Sequence, residues 1–587
     1  MIIQRSNILH SQVPLAEYPG PAYDQPVNGQ DEEVEVPVLI VGGSLVGLST
    51  AMLLASHGVK SLVVERHSGT AIHPRAGHFN LRTLEILRSA GLEDTVRRRS
   101  QEQYPPDGGI SNVESLAGRE IATYFTDLNA GVAEFSPTIR LFINQDALEP
   151  ILRAHAESLG AQTRYRTECT ALEQDADGVT AELTDAATGA RSRVRARYAV
   201  AADGNRSPAR NRLGIKMRGH GVLSNSITIY FRAERDLTPL LAGRNQGVHY
   251  VTNPVLRGFF RLDRSGNGGF LVVNLVGDTA RPEIVAAYPE APWANVAEGI
   301  TKDRALELLR AAIGVPGMPL VIEDIATWQA VADVAERYSD GRVFLAGDAV
   351  HVVPPNGGFG GNTGVHDAHN LAWKLALVLN GTAGPGLLAT YDAERRPVGE
   401  FTVEQSYSRY VGRVAPYLGT AGAQPVLDDL YLELGYRYDS PAVIAEPAGE
   451  PEGGKLPHRH PRDCTGQPGS RAPHVWLHRR GERLSALDLF GGNFVLLAGA
   501  RGAAWQDAAR GAAGRLDVSL DAYLVNDEVG ELTDAGSDFC AAYGISDDGA
   551  VLVRPDGFVA WRAADAAGAT AEAMTGVLSR VLCRPQA

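Results

Sequence analysis

The sequence predicts a mixed fold, in which a doubly wound α/β domain is interleaved with an antiparallel-sheet α+β domain and a smaller α/β domain follows. Three observations carry this prediction. A strand, a glycine turn, a helix and a second strand follow one another between Val36 and His67. Two later strands end in Asp-Gly or Gly-Asp, at Asp203 and at Gly347. Residues 224–234 alternate between apolar and polar side chains, as a strand with one buried face does.

The first unit begins with VPVLIV, a β-branched run typical of a strand buried on both faces. The turn from Gly42 to Gly47 opens a helix, and the next strand, VKSLVVERH, ends in Glu65. An acid about 20 residues beyond such a turn is where a dinucleotide site binds ribose hydroxyls. Ser44 replaces the second glycine of the usual turn, yet it retains a backbone N–H and adds a hydroxyl that can donate to phosphate. The alternative is that these glycines serve packing alone.

The two later strand ends would add polar groups to the same candidate nucleotide site. The strand RYAVAADG reaches Asp203, with Arg206 close by, which is also compatible with an ordinary charged turn. The strand RVFLAGDA reaches Asp348, and a loop rich in glycine then opens into the helix NTGVHDAHNLAWKLALVL. Such a loop lets backbone amides approach a flat ligand, and the helix N-terminus stabilises negative charge there.

Composition and charge exclude several classes. The formal net charge of -14 argues against nucleic-acid and anionic-membrane binding, and no apolar run is long enough for a bilayer. A signal-peptide h-region is not evident, and the four scattered cysteines form no C-x-x-C, so a reducing cytoplasm is expected. His351, His366 and His369 lack an accompanying carboxylate pattern, and we predict no metal site.

These motifs, in this order, resemble the FAD-dependent aromatic hydroxylases of the p-hydroxybenzoate hydroxylase fold, the class A flavoprotein monooxygenases. HPRAGHFNLRTLEILRSAGL and NQDALEPILRAHAESLG look like the same family, and the resemblance extends from about Val36 to Val411. Within the family, the tetracenomycin-type polyketide hydroxylases are the most similar group. The long late motif, GDAVHVVPPNGGFGGNTGVHDAHNLAWKLA, makes the resemblance specific.

The resemblance implies a role for each matching residue. The turn would hold the FAD pyrophosphate, Glu65 the adenosine ribose, and Asp348 the ribityl chain. Asp203 would support the FAD and a transient nicotinamide site, and Gln145 would contact the cofactor from its helix. The implied cofactor-binding residues are Gly42, Ser44, Leu45, Val46, Gly47, Glu65, Arg66, Arg75, Ala76, Gln145, Asp203, Asp348, Pro355, Gly358, Gly360, Gly361 and Asn362.

The resemblance also divides the chain. Residues 1–34 form an N-terminal arm; 35–100, 141–216 and 325–410 a discontinuous, Rossmann-like FAD-binding domain; 101–140 and 217–324 the substrate-binding domain. A helical segment and linker at 411–469 precede a thioredoxin-like domain at 470–587 that lacks C-x-x-C. Tyr230, His249 and Tyr250 are pocket candidates on the substrate sheet, although each alone is more often core or surface.

The implied activity is hydroxylation of a polycyclic, polyketide-like or phenolic aromatic with NAD(P)H and O2, through a C4a-hydroperoxyflavin. The sequence identifies no catalytic base. One alternative on the same scaffold is Baeyer–Villiger oxygen insertion, and another is a flavin-binding protein without turnover. A small aromatic substrate is the expected partner, with a homodimer as the expected assembly and no nucleic acid or membrane.

Overall fold

Three sheets organise the chain. A computed structural model describes residues 34–72, 76–106, 108–277, 295–419, 422–446, 457–526 and 531–585. The strands are β1 Val34–Val41, β2 Ser61–Val64, β3 Ile110–Val113, β4 Glu120–Phe125, β5 Gln162–Arg164, β6 Thr167–Gln174, β7 Val179–Asp185, β8 Arg191–Ala201, β9 Met217–Ala233, β10 Val248–Thr252, β11 Leu256–Leu262, β12 Gly268–Val276, β13 Leu320–Ala335, β14 Ser339–Asp340, β15 Val343–Leu345, β16 His351–Val352, β17 Trp476–Arg479, β18 Glu482–Ser485, β19 Phe494–Ala498, β20 Leu520–Asn526, β21 Leu532–Asp534, β22 Ala550–Val553 and β23 Val559–Ala563.

Helices cover or connect these sheets. They are α1 Leu45–Ser56, α2 Leu81–Ser89, α3 Glu93–Gln103, α4 Gln145–Ser158, α5 Pro208–Arg212, α6 Lys302–Ile313, α7 Phe359–Leu379, α8 Gly386–Arg413, α9 Asp429–Glu433, α10 Ala503–Leu516, α11 Phe539–Tyr543 and α12 Ala571–Val581. No helix in these described ranges is both long and apolar enough to cross a bilayer.

The first sheet is the predicted doubly wound one. Its order is β14-β15-β8-β1-β2-β5, and β15, β8, β1, β2 and β5 run parallel. The β6–β7 hairpin extends it by pairing β7 with the first half of β8. Helices α1, α4 and α7 pack in the core on one face, and hairpin residues cover the other. Burial on both faces explains why β1 ends in an unbroken apolar run.

The second sheet is the predicted antiparallel one. Its order is β16-β13-β9-β12-β11-β10-β3-β4, antiparallel except where β10 meets β3. Ile227, Ile229 and Phe231 of β9 form a core with Leu308 and Leu309 of α6. The domain boundary predicted at residue 325 falls inside β13, because β13 pairs with β9 along almost its whole length. β13 then leads into the first sheet through β14, and the predicted domain division stays a prediction.

The third sheet belongs to the C-terminal part. Its order is β18-β17-β21-β20-β19-β22-β23, with β19 and β20 parallel and β22 and β23 forming an antiparallel hairpin. Trp373 of α7 meets Phe494 of β19 edge to face at 6.0 Å between ring centroids. One apolar core therefore runs from the first sheet's helices into the C-terminal domain. All four cysteines are free of disulfides.

Candidate active site

The predicted binding motifs converge at one edge of the first sheet. Gly42 follows β1, Glu65 follows β2, Asp203 lies two residues beyond β8, and Asp348 lies three residues beyond β15. Because these strands are parallel, all four residues lie at their carboxyl ends, where open α/β sheets bind ligands. The sheet thus gathers residues that are up to 306 positions apart in the sequence.

The glycine turn has no room for side chains. Gly42 adopts a φ of +105°, and a Cβ there would lie 2.3 Å from the carbonyl oxygen of Ala202. A Cβ on Gly47 would lie 1.8 Å from the Gly42 carbonyl oxygen. The Gly43 N–H donates to Glu65 Oε2 at 2.8 Å, which fixes the carboxylate beside the turn. Although burial alone would raise it, the pKa of Glu65 is lowered by the amide donors of His67 and Gly43, so the group stays anionic.

Ser44 is held by a buried carboxylate that sequence reasoning missed. Its hydroxyl donates to Glu149 Oε1 at 2.6 Å and accepts from Gln145 Nε2 at 2.9 Å. Glu149 also accepts from the Ala71 N–H at 2.6 Å. The hydroxyl donates its proton to Glu149 in this structure, and its contact with phosphate stays a prediction. Helix α1 carries no side-chain cap. The Ser44 backbone amide remains the group that is predicted to bind the pyrophosphate.

The N-terminal turns of α1 and α7 lie side by side. A Cβ on Gly361 would lie 3.0 Å from Leu45 Cδ2, and one on Gly364 would lie 2.5 Å from Val46 Cγ2. Gly347, between β15 and Asp348, also packs against Val46. Two helix N-termini thus border the same edge of the sheet, and neither has a side-chain cap. Their free N–H groups and dipoles suit an anionic ligand.

The loop before α7 is fastened by Asn362. Gly358, at the helix N-cap, has a φ of +68°. Asn362 Nδ2 donates to the carbonyl oxygens of Gly358 at 2.6 Å and His78 at 2.9 Å. Its Oδ1 accepts from the Asn80 N–H at 3.0 Å and from Thr83 Oγ1 at 2.7 Å. The Asn362 side chain therefore holds the loop against residues 78–83.

The other predicted residues divide into three groups. Asp348 and Arg66 are exposed at the sheet edge, and Pro355 and Gly360 are half-buried along the loop. Gln145 and Ala76 pair with each other, from the Ala76 N–H to Gln145 Oε1 at 3.0 Å. Arg75 lies outside the described residues.

Asp203 has a local structural task. It accepts from Ser207 Oγ at 2.5 Å and from the Ala209 N–H at 3.0 Å, and so fixes the start of α5. Burial raises its pKa. The charged-turn interpretation therefore accounts for its contacts with Ser207 and Ala209, and its role toward a cofactor stays a prediction.

The three histidines of the late motif have separate partners. His351 Nε2 lies 2.7 Å from Asp367 Oδ2, which also accepts from the Gly347 N–H at 3.1 Å. His366 Nε2 lies 3.2 Å from Thr83 Oγ1, and burial holds its pKa well below the ordinary value. Within the described ranges, no three of His, Cys, Asp and Glu are placed to hold a metal ion. Asp367 links His351 to the turn that carries Asp348.

The pocket candidates lie on opposite faces of the second sheet. Strand pairing places Tyr250, Phe259, Phe270 and Tyr230 on the face turned away from α6. His249 points to the other face, where its Nδ1 lies 2.9 Å from Ser111 Oγ. This corrects the grouping of His249 with the two tyrosines, because neighbouring residues of a strand alternate between faces.

The tyrosine face meets the glycine-rich loop directly. Asn356 Nδ2 donates to the Tyr250 hydroxyl at 3.2 Å. Tyr124 packs edge to face on Tyr250 at 5.9 Å between centroids, and the guanidinium of Arg413 lies over both rings. We call Tyr124, Tyr230, Tyr250, Phe259 and Phe270 the aromatic face. It meets, through Tyr250 and Asn356, the loop whose backbone is predicted to hold a flat ring.

Comparison with known proteins gives the family. Residues 35–406 match the family described as FAD binding domain, and residues 465–585 the one described as aromatic-ring hydroxylase, C-terminal. The chain is 54% identical over 552 residues to the 4-methyl-5-nitrocatechol 5-monooxygenase of a Burkholderia species, covering 94% of this chain and 98% of that one. It is 40% identical over 577 residues to the tetracenomycin A2 monooxygenase-dioxygenase of Streptomyces glaucescens, covering 94% and 98%.

A solved structure of an aromatic hydroxylase also matches the chain along most of its length. The ternary complex of aklavinone-11 hydroxylase with FAD and aklavinone matches with a TM-score of 0.84 at 39% identity, covering 94% of this chain and 100% of that one. The chain belongs to the FAD-dependent aromatic-ring hydroxylases. The predicted resemblance, the FAD cofactor and the monooxygenase activity are thereby confirmed.

The residues of this hydroxylase fit FAD. The glycine turn gives close backbone approach, Glu65 stands beside it as an anchored carboxylate, and Asp348 is exposed between two uncapped helix N-termini. The pyrophosphate, ribose and ring of one dinucleotide need these three kinds of group. We expect the turn to hold the pyrophosphate, Glu65 the ribose, and the start of α7 the flavin ring.

His249 gives the hydroxylase a pH dependence that can be measured. Burial lowers the pKa of His249 from 6.5 to about 4. The unfolded chain therefore takes up this proton first, so the free energy of unfolding falls as pH decreases from 6.5 to about 4, by up to about 1.4 kcal/mol per pH unit. We expect His249→Asn to lose less stability than the wild type between pH 6.5 and pH 4.5 in urea unfolding. Equal losses in both proteins would contradict this assignment.

Proposed function

We propose that the hydroxylase adds one oxygen atom from O2 to the ring of a monocyclic phenol of the catechol type, with NAD(P)H as the reductant. The observation that carries this proposal is the aromatic face, which Asn356 fastens to the glycine-rich loop through Tyr250. We expect a flat phenol to lie between these rings and the flavin-binding loop. The bound flavin supplies the activation of oxygen, and the chain supplies position and exclusion of water.

The relatives support a phenol and favour a single ring. The relative that is 54% identical is named for a nitrocatechol, whereas those near 40% are named for tetracenomycin and aklavinone. Polycyclic substrates are therefore the second candidate. The nicotinamide cofactor needs no Rossmann domain of its own in this proposal, and Asp203 would support its transient site.

The test uses the purified holoenzyme with NADPH and O2. We expect 4-substituted catechols to stimulate NADPH oxidation and to give a hydroxylated ring, identified by NMR, in step with oxygen uptake. A lactone product would instead establish Baeyer–Villiger insertion, and no stimulation by catechols or polycyclic phenols would overturn both proposed substrate classes. Faster turnover of polycyclic phenols would move the substrate class to the second candidate.

A matched pair of variants tests the aromatic face. Tyr250→Ala is expected to lower kcat/KM at least about tenfold, because it removes a ring and the Asn356 contact, and 1.4 kcal/mol corresponds to a factor of ten. His249→Asn, one residue away on the opposite face, is the control and should retain kcat/KM within about twofold. Similar losses in both variants would show that the sheet as a whole, rather than this face, is required.

We also propose that the C-terminal domain is a thioredoxin-like scaffold without thiol catalysis. The order β20-β19-β22-β23, with the parallel pair β19–β20 and helices α10 and α12, supports this topology. Burial raises the pKa of the thiols of Cys464 and Cys583, which disfavours the thiolate that redox chemistry needs. A homodimer and a cytoplasmic location stay predictions.

A further inference from the structure

Arg261 is a buried cation on the face of the second sheet that is turned away from α6. It lies on β11, 3% exposed, opposite Val248 and Phe270 in the strand pairing. It therefore shares the face of Tyr230 and Tyr250. Among aromatic rings that contact the flavin-binding loop, a guanidinium is an unexpected group, because an unpaired charge is costly to bury.

Three sides of the guanidinium are occupied. Its Cζ lies 3.6 Å from the ring centroid of Tyr104 and 4.0 Å from that of Phe142. Nη1 donates to the carbonyl oxygen of Gly77 at 2.8 Å. The remaining edge, formed by Nε and Nη2, is buried and has no hydrogen-bond partner within the part of the chain that the structure describes.

Among the described residues, no carboxylate compensates this cation. Burial lowers the pKa of Arg261, but a guanidinium keeps its proton in proteins. No ion pair joins it to a carboxylate of the described residues. An uncompensated buried ion is strongly disfavoured, so a partner from outside the chain that accepts its hydrogen bonds would gain by binding there.

The free edge lies close to the predicted flavin site. Gly77 follows Ala76, which pairs with Gln145, and precedes His78, whose carbonyl oxygen accepts from Asn362. A Cβ on Gly358 would lie 3.1 Å from His78 Nδ1, so this histidine packs against the loop. His78 Nε2 is also buried without a partner among the described residues. Three buried nitrogen atoms, Arg261 Nε and Nη2 and His78 Nε2, thus have no hydrogen-bond partner among the described residues beside the predicted flavin site.

We propose that the Nε–Nη2 edge of Arg261 binds a planar two-oxygen substituent of the phenolic substrate, a carboxylate or the isosteric nitro group, and selects substrates that carry one. The proposal rests on the proposed function and deepens it. Two parallel N–H donors on one guanidinium edge match two oxygens on one planar group, and lysine cannot reproduce that geometry. Because Gly77 fixes Nη1, the fork is already oriented.

The experiment compares three catechols that differ only at position 4: 4-nitrocatechol, 3,4-dihydroxybenzoate and 4-methylcatechol. Their Kd values for the FAD-loaded enzyme are measured from the change in flavin absorption, without NADPH. We expect Arg261→Lys to weaken the nitro and carboxylate ligands at least about tenfold, and 4-methylcatechol by less than about threefold. Arg261→Met should extend the same pattern.

Arg264→Lys is the matched control. Arg264 lies three residues further along, is exposed, and donates to the Gln101 carbonyl oxygen, so all three Kd values should stay unchanged. Parallel weakening of all three ligands by Arg261→Lys would overturn the proposal in favour of packing, and a raised Kd for FAD would assign the free edge to the cofactor. If the wild type binds catechols but does not prefer the two-oxygen groups, this inference alone fails. If it binds none of them, the proposed substrate class fails as well.

Discussion

Gly47→Ala is expected to abolish FAD binding. A Cβ at this position would lie 1.8 Å from the Gly42 carbonyl oxygen, far inside van der Waals contact. Gly42 is held in place, because its N–H donates to the Val64 carbonyl oxygen at 2.8 Å. The turn must therefore open, and its amides move from the place where the pyrophosphate would lie. We expect the purified variant to be colourless and its Kd for FAD, from flavin fluorescence, to rise at least about a hundredfold, or about 2.7 kcal/mol.

The matched control is Gly514→Ala. Gly514 lies within α10, and no atom lies within 4 Å of its Cβ position. Alanine there should leave the FAD content unchanged and stabilise the helix by up to about 1 kcal/mol. A Gly47→Ala protein that purifies with full FAD would show that the turn tolerates a side chain and that the cofactor lies elsewhere.

Much of this site follows from local sequence patterns. One short segment contains the strand VPVLIV, the turn at Gly42 and the strand end at Glu65. Its hydrophobic periodicity and glycine spacing predict these elements from the sequence alone. The strand end at Asp348 is equally local. Alternation in residues 224–234 predicted β9 and its two faces, since the period of a strand is two.

The contacts that the sequence did not predict join residues that lie far apart in the sequence. Glu149 contacts Ser44 over 105 positions, and Asn362 contacts Asn80 over 282. Glu149 lies four residues after Gln145, on the same helix face. This spacing alone does not predict a contact with Ser44, because most glutamates on helices are solvated. The sequence alone likewise did not predict which face of the sheet His249 occupies, since a one-residue shift in register exchanges the two faces. The position of Arg261 against Gly77 needs the second sheet folded onto the first.

A buried charge cluster joins the C-terminal domain to the helices of the first sheet. Arg554 donates to Glu394 with Nη1 at 2.6 Å and Nη2 at 2.9 Å, and to Asp556 with Nε at 3.0 Å. Glu394, on α8, also accepts from Lys374 Nζ of α7 at 2.7 Å. These four side chains are at most 1% exposed. Burial alone would raise the pKa of Glu394, but the charges of Arg554 and Lys374 hold it below the ordinary value.

Arg554→Met is therefore expected to lower the free energy of unfolding by about 3–5 kcal/mol, since it leaves two buried carboxylates with one cation. Urea unfolding of the FAD-loaded enzyme measures this loss. Arg479→Met is the control from the same domain, because Arg479 pairs with Glu531 at 2.7 Å where both side chains are more than a third exposed. An exposed pair contributes about 0–1 kcal/mol, so this variant should remain close to the wild type. Equal effects would mean that the buried cluster adds no more than a surface ion pair, and that apolar contacts such as Trp373 with Phe494 hold the C-terminal domain in place.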